Sequence, residues 1–159
     1  FVPVLELDDG THICESVAIC RYFEALQPAP PLMGQGPTEQ ALIEMWNRRM
    51  ELDGFLAVVE ALRNAHPAFA NRALPGPTNH PRIPALAERG RIRIDIFFSV
   101  LEEILESRPY VVGDHFSIAD ITAFVTVDFA RRVDMQLPDT LEHTHRWYQR
   151  VSERPSARA

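Results

Sequence analysis

The chain has 159 residues and 18.1 kDa, with 46% hydrophobic and 24% charged residues, the proportions of a globular chain that keeps a polar surface. A formal net charge of −6 and a pI near 5.5 argue against non-specific nucleic-acid binding, which needs a basic face. Two cysteines make no disulfide framework, and no apolar run approaches the roughly 20 residues that cross a bilayer. Cys14 and Cys20 read as reduced, partly buried thiols of a cytoplasmic protein.

The first sixteen residues, FVPVLELDDGTHICES, carry the densest signal. Val2, Val4 and Leu5 are strand formers, Asp8-Asp9-Gly10 is turn chemistry, and Thr11 to Cys14 return as a second short strand. Ser16 stands before the apolar run Val17-Ala18-Ile19, as an N-cap does, and opens a helix that ends before Pro28. A helix N-terminus with a hydroxyl and free N–H groups suits a small carboxylate. Residues 28–37, PAPPLMGQGP, are rich in breakers and read as a linker between a first unit at 1–27 and a second at 38–159.

Thr38 then reads as the N-cap of one continuous helix to about Ala65, with Leu42, Ile43, Trp46, Met50, Leu56, Val59 and Leu62 near helical spacing. From Pro67 to Pro84 five prolines, one glycine and no sustained period indicate a long loop. A second long helix is expected over about Pro84–Ser107, with proline suited to its first turn. Phe116-Ser117-Ile118-Ala119-Asp120-Ile121 reads as a capping box, Ser117 and Asp120 serving each other's backbone, with Phe116 and Ile121 at the staple positions. The nearly all-apolar helix that follows runs to about Val133, and a last aromatic helix covers Thr140–Ser152. The histidines lack ligand spacing, so no metal site is expected.

The order VPVLELDDG…ES, the linker, the long helix, the Phe-Ser-Ile-Ala-Asp-Ile box and the closing Glu153-Arg154-Pro155 together resemble the cytosolic glutathione transferases. The resemblance implies a mainly α fold: the last hairpin and helix of a thioredoxin-like α/β domain, then an all-helical C-terminal domain. It lacks the family's N-terminal strand-helix-strand. It implies a cis bond at Val2-Pro3 and glutathione laid along the Val2 backbone like an added strand. The γ-glutamyl carboxylate would meet Ser16, and Glu15 would face the ammonium group. Ile43 to Asn47 is similar to the long helix of bacterial beta-class enzymes, where an asparagine reaches across the dimer to the partner's glutathione; Asn47 takes that role. That class has a histidine further along, where this chain has Asp53-Gly54. Arg49, Met50 and Asp53 would line the electrophile pocket.

The implied protein is a homodimer through the family's third and fourth helices, with glutathione as co-substrate, a small electrophile, and no nucleic acid or membrane partner. The thiol-activating tyrosine, serine or cysteine of the family lies in the missing segment, so no catalytic residue is assigned and the 159 residues alone are expected to be inactive. The same residues also fit a non-catalytic interaction or regulatory module, or a glutathione-dependent isomerase, dehalogenase or disulfide reductase.

Overall fold

A computed structural model describes residues 2–158. The chain opens with a two-stranded antiparallel hairpin, β1 (Val4–Glu6) and β2 (His12–Cys14), in the register Val4↔Cys14, Leu5↔Ile13, Glu6↔His12. The turn closes as its residues dictate. Gly10 adopts φ +83°, and the Asp9 carboxylate accepts from the Thr11 amide at 2.9 Å. Helix α1 (Ser16–Leu26) follows, with no buried residue of its own. Cys14 and Cys20 are both exposed, not partly buried, since β2 belongs to a two-stranded sheet and α1 fully buries none of its residues.

The linker is pinned by the Glu24 carboxylate, whose two oxygens accept from the Met33 amide at 2.8 and 3.0 Å. Its Ala29-Pro30 bond is cis, like Val2-Pro3. Met33 then packs with Ile43 and Ile118, against Val17 of α1 and Val112.

The expected single long helix is three segments. Helix α2 (Gly36–Arg49) begins at Gly36 after Gln35, with Pro37 in its first turn, so Thr38 is inside the helix and is not its N-cap. Met50–Phe55 widen into a π-helical turn, and α3 (Leu56–Ala65) resumes the α-helix. The Gly54 Cα faces the Phe97 ring, where an added Cβ would lie 2.6 Å from a ring carbon. That contact leaves no room for a larger residue on the inner side of the turn.

Past a short 3-10 turn at Pro67–Phe69, the proline-rich stretch is held by Ala73 donating to the His80 carbonyl at 3.0 Å and His80 donating to the Asn71 carbonyl at 2.9 Å. Helix α4 (Pro84–Glu106) packs antiparallel-fashion on α3, and Gly90 makes the approach close: a Cβ there would meet the Ala61 backbone nitrogen at 2.7 Å. Helix α5 (Ile118–Ala130) ends in a 3-10 turn at Arg131–Val133, and α6 (Glu142–Ser152) begins two residues later than its sequence suggests. The core lies between these helices, with Met50, Val58, Ile94, Phe97, Phe98, Leu101 and Trp147 nearly inaccessible.

Asp120 organises one end of that core. The capping box forms, with Ser117 N–H donating to Oδ2 at 3.0 Å and the Ser117 hydroxyl at 3.1 Å. The other oxygen, Oδ1, accepts from the Val111 amide and from the Trp147 indole N–H, both at 2.9 Å. Burial pushes its carboxyl above the ordinary value of 3.8, outweighing the four donors that favour the charged form. Among the described residues no helix is long and apolar enough to cross a membrane.

Candidate functional site

At the junction of β2 and α1 the N-cap expected at Ser16 lies one residue earlier. Ser16 is the first helical residue, and Glu15 is the cap position, its side chain making no capping hydrogen bond. Glu15 adopts φ 71°, ψ 123°, a backbone conformation that a non-glycine residue avoids at a cost of about 1–3 kcal/mol. The intrahelical ladder starts with Ile19 donating to the Glu15 carbonyl at 3.0 Å, so the N–H groups of Ser16, Val17 and Ala18 have no partner within the helix. Ser16 and Glu15 are both exposed. A strained residue thus precedes an exposed serine and free amides at the positive end of an eleven-residue helix, which is electrostatically suited to a small anion.

Beside it, Val2 is 94% exposed, Pro3 is exposed, and their peptide bond is cis. Val17, on the Met33–Ile43–Ile118 cluster, and an Arg21–Glu44 ion pair at 2.7 Å tie α1 to the helical part.

Arg49, Met50 and Asp53 come together at one cavity of about 240 Å³ with Arg93, Ile96, Phe97 and Val100. Its floor is apolar and its rim is charged. Arg49 sits 4.8 Å over the Trp46 ring and 4.0 Å from Asp53, while Arg93 donates to Glu60 at 3.0 Å and to the Leu52 carbonyl at 2.6 Å. Sequence reasoning missed the four α4 residues of this cavity. The signal was available: positions 93, 96, 97 and 100 follow the i, i+3, i+4, i+7 spacing of one helix face.

Asn47 is not at the surface. At 0% exposure it lies inside the protomer between α2 and α5, its Oδ1 accepting from the Thr122 hydroxyl at 2.6 Å and its Nδ2 buried without a partner. A side chain enclosed by its own chain does not span a subunit interface, so the cross-dimer reach expected of Asn47 is corrected to an interior helix–helix contact. Ser117 and Asp120 are interior as well, and their bonds run to the backbone and to Trp147.

A helix terminus with free amides thus stands beside an exposed Val-Pro edge, and both are mounted on a helical unit. The family model described as the glutathione S-transferase C-terminal domain matches residues 78–155, and the one for the N-terminal domain matches residues 1–26. Glutathione S-transferase 2 of Saccharomyces cerevisiae is 38% identical over 160 residues, which is 99% of this chain and 65% of that protein. The crystal structure of Gtt2 from Saccharomyces cerevisiae superposes with a TM-score of 0.88 at 37% identity, covering 99% of this chain and 74% of that one. Maleylacetoacetate isomerase of Mus musculus is 30% identical over 149 residues, 91% of this chain and 62% of that protein.

The chain belongs to the glutathione S-transferase family. Its architecture is the family's all-helical C-terminal domain preceded by the last hairpin and helix of the thioredoxin-like domain, and it spans under two thirds of the length of these two curated relatives.

Proposed function

We propose that the protein to which these residues belong is a glutathione transferase that joins glutathione sulfur to a small electrophile. In this reading the γ-glutamyl carboxylate is held by the Ser16 hydroxyl and the free amides at the start of α1. Glu15 faces the ammonium group, and the tripeptide backbone runs beside Val2. The observation that carries it is Glu15 at φ 71°, a strained backbone conformation at the residue that sets Ser16, exposed, at the first position of α1.

The electrophile would occupy the cavity of Arg49, Met50 and Asp53, where Ile96, Phe97 and Val100 suit an apolar body and the arginines suit an electron-withdrawing substituent. Attack by the thiolate forms the carbon–sulfur bond; the thiol proton goes to solvent, and in a substitution the leaving group departs with the bonding pair. The units would divide as 1–27, linker 28–37 and 38–159, and the working protein would be a homodimer in the cytoplasm with glutathione as co-substrate.

Titration with reduced glutathione tests the anchor without requiring turnover. The chain should bind it saturably, and Ser16→Ala should weaken binding about tenfold, the worth of one hydrogen bond to a charged group. Equal affinity of the variant would remove Ser16 from the site. A second reading, an isomerase that uses glutathione, is favoured by the likeness to the maleylacetoacetate isomerase of Mus musculus. The two part on stoichiometry, since conjugation consumes glutathione and isomerisation returns it.

A further inference from the structure

A cleft of about 260 Å³ lies between the C-terminal end of α4 and the face of α6, and Arg108, His143, Arg146 and Arg150 line it together with Glu106 and Ser107. All sixteen basic residues of this acidic chain are arginine, and three of them converge here. Arg21, Arg48, Arg49, Arg89, Arg93 and Arg131 each lie within 4.0 Å of a carboxylate. Among the described residues the other ten do not, and Arg108, Arg146 and Arg150 are the three of those ten that line this cleft.

Neutral groups hold these three in position. Arg108 donates to the Val111 carbonyl at 3.3 Å and stands 5.6 Å over the Trp46 ring. Arg150 donates to the Pro109 carbonyl at 2.7 Å and stands 5.6 Å over Tyr110. Arg146 donates to Nδ1 of His143, whose Nε2 lies 3.9 Å from the Glu102 carboxylate. Each contact uses one N–H of a five-donor fork and leaves the charge uncompensated. Glu102, behind His143, accepts from the amides of His143 and Thr144 and the Thr144 hydroxyl, and among the lining residues Glu106 is the carboxylate facing the three arginines.

We propose that this cleft binds a small phosphate-type oxyanion, inorganic phosphate or a phosphate monoester, through Arg146 and Arg150 with Arg108 behind them. The site is independent of the glutathione reading. A doubly charged tetrahedral group supplies acceptor oxygens for several guanidinium forks, which a single carboxylate does not. The cleft is too small for a polymer strand, and the chain's net charge of −6 repels polyanions at longer range.

The test is titration of the full 159-residue chain with inorganic phosphate at constant ionic strength balanced with chloride, followed by phosphorus NMR line width and thermal midpoint. Saturable binding is expected, weakened about tenfold in Arg146→Gln, since among the described residues Arg146 bonds to His143 alone and the variant's fold should be intact. Arg150→Lys keeps the charge, loses the fork, and should weaken binding less than Arg150→Gln. A phosphate monoester titrated in parallel separates the two sources: tighter monoester binding identifies a phosphorylated small molecule, and equal or weaker binding identifies free phosphate, both supporting the site. A response reproduced by chloride alone, or affinity unchanged in Arg146→Gln and Arg150→Gln, would overturn the proposal.

Discussion

Gly90→Ala should lower stability although alanine is the better helix former. A Cβ at this position would stand 2.7 Å from the Ala61 nitrogen, 2.8 Å from the Ala57 carbonyl oxygen and 2.9 Å from the Ala61 Cβ. Ordinary contact begins at 3.4 Å, so α4 must retreat from α3 by about 0.7 Å to admit the methyl group. Overpacking a filled core costs about 1–3 kcal/mol, and an obstacle made of backbone instead of a rotatable side chain puts this site near the upper end. The helix-propensity gain returns about 1 kcal/mol. The net is about 2 kcal/mol of destabilisation, or a thermal midpoint lower by roughly 4–8 °C for a chain of this size. Urea unfolding followed by circular dichroism should show the same loss as a lower midpoint at unchanged slope. A variant that melts at or above the wild-type temperature would refute the claim that α3 and α4 meet backbone to backbone at Gly90.

Glu102 predicts a pH effect of definite sign. Burial raises its carboxyl, but the Thr144 hydroxyl and the amides of His143 and Thr144 together lower it by more, leaving it below the ordinary 4.5. Its stabilising contribution is therefore present above 4.5 and lost as pH falls through the lowered value, and Glu102→Gln should flatten that acid limb of the urea midpoint. An identical acid limb in the variant would contradict the assignment. Hydrogen exchange should be at least about a hundredfold faster at the amides of residues 4–14 than in α5, because a two-stranded sheet is marginal in water and α1 above it buries nothing completely. Comparable protection in the two regions would show that the hairpin belongs to the main cooperative unit.

The capping box was legible from the sequence because its chemistry is local: Ser117 and Asp120 are one turn apart, and their bonds form wherever that turn forms. The indole of Trp147 on the same carboxylate was not, since 27 residues separate them and only the packing of α6 on α5 joins them. The N-cap readings at Ser16 and Thr38 each missed the observed helix start. At the first, Glu15 takes a backbone conformation that no propensity favours; at the second, Pro37 fits the first turn so well that the helix starts ahead of Thr38. Asn47 illustrates the opposite difficulty. Its neighbours Arg48 and Arg49 are exposed, and only the register of α2 against α5 decides that this polar residue points inward. The break in the long helix was not legible, because the π turn adds its residue between two segments whose apolar positions each keep helical spacing.

The turn at Met50–Phe55 therefore works as a phase shifter. One residue in an α-helix corresponds to about 100° of rotation. By holding an extra residue in that turn, the chain lets α2 aim its inner stripe at α5 while α3 aims its own at α4, two neighbours in different directions along what is otherwise one rod. Removing a single residue between 50 and 55 would restore an unbroken α-helix and swing Ala57, Val58 and Ala61 away from the core by that angle. In this family member, chain length within one helical turn is as strictly determined as any side chain it carries.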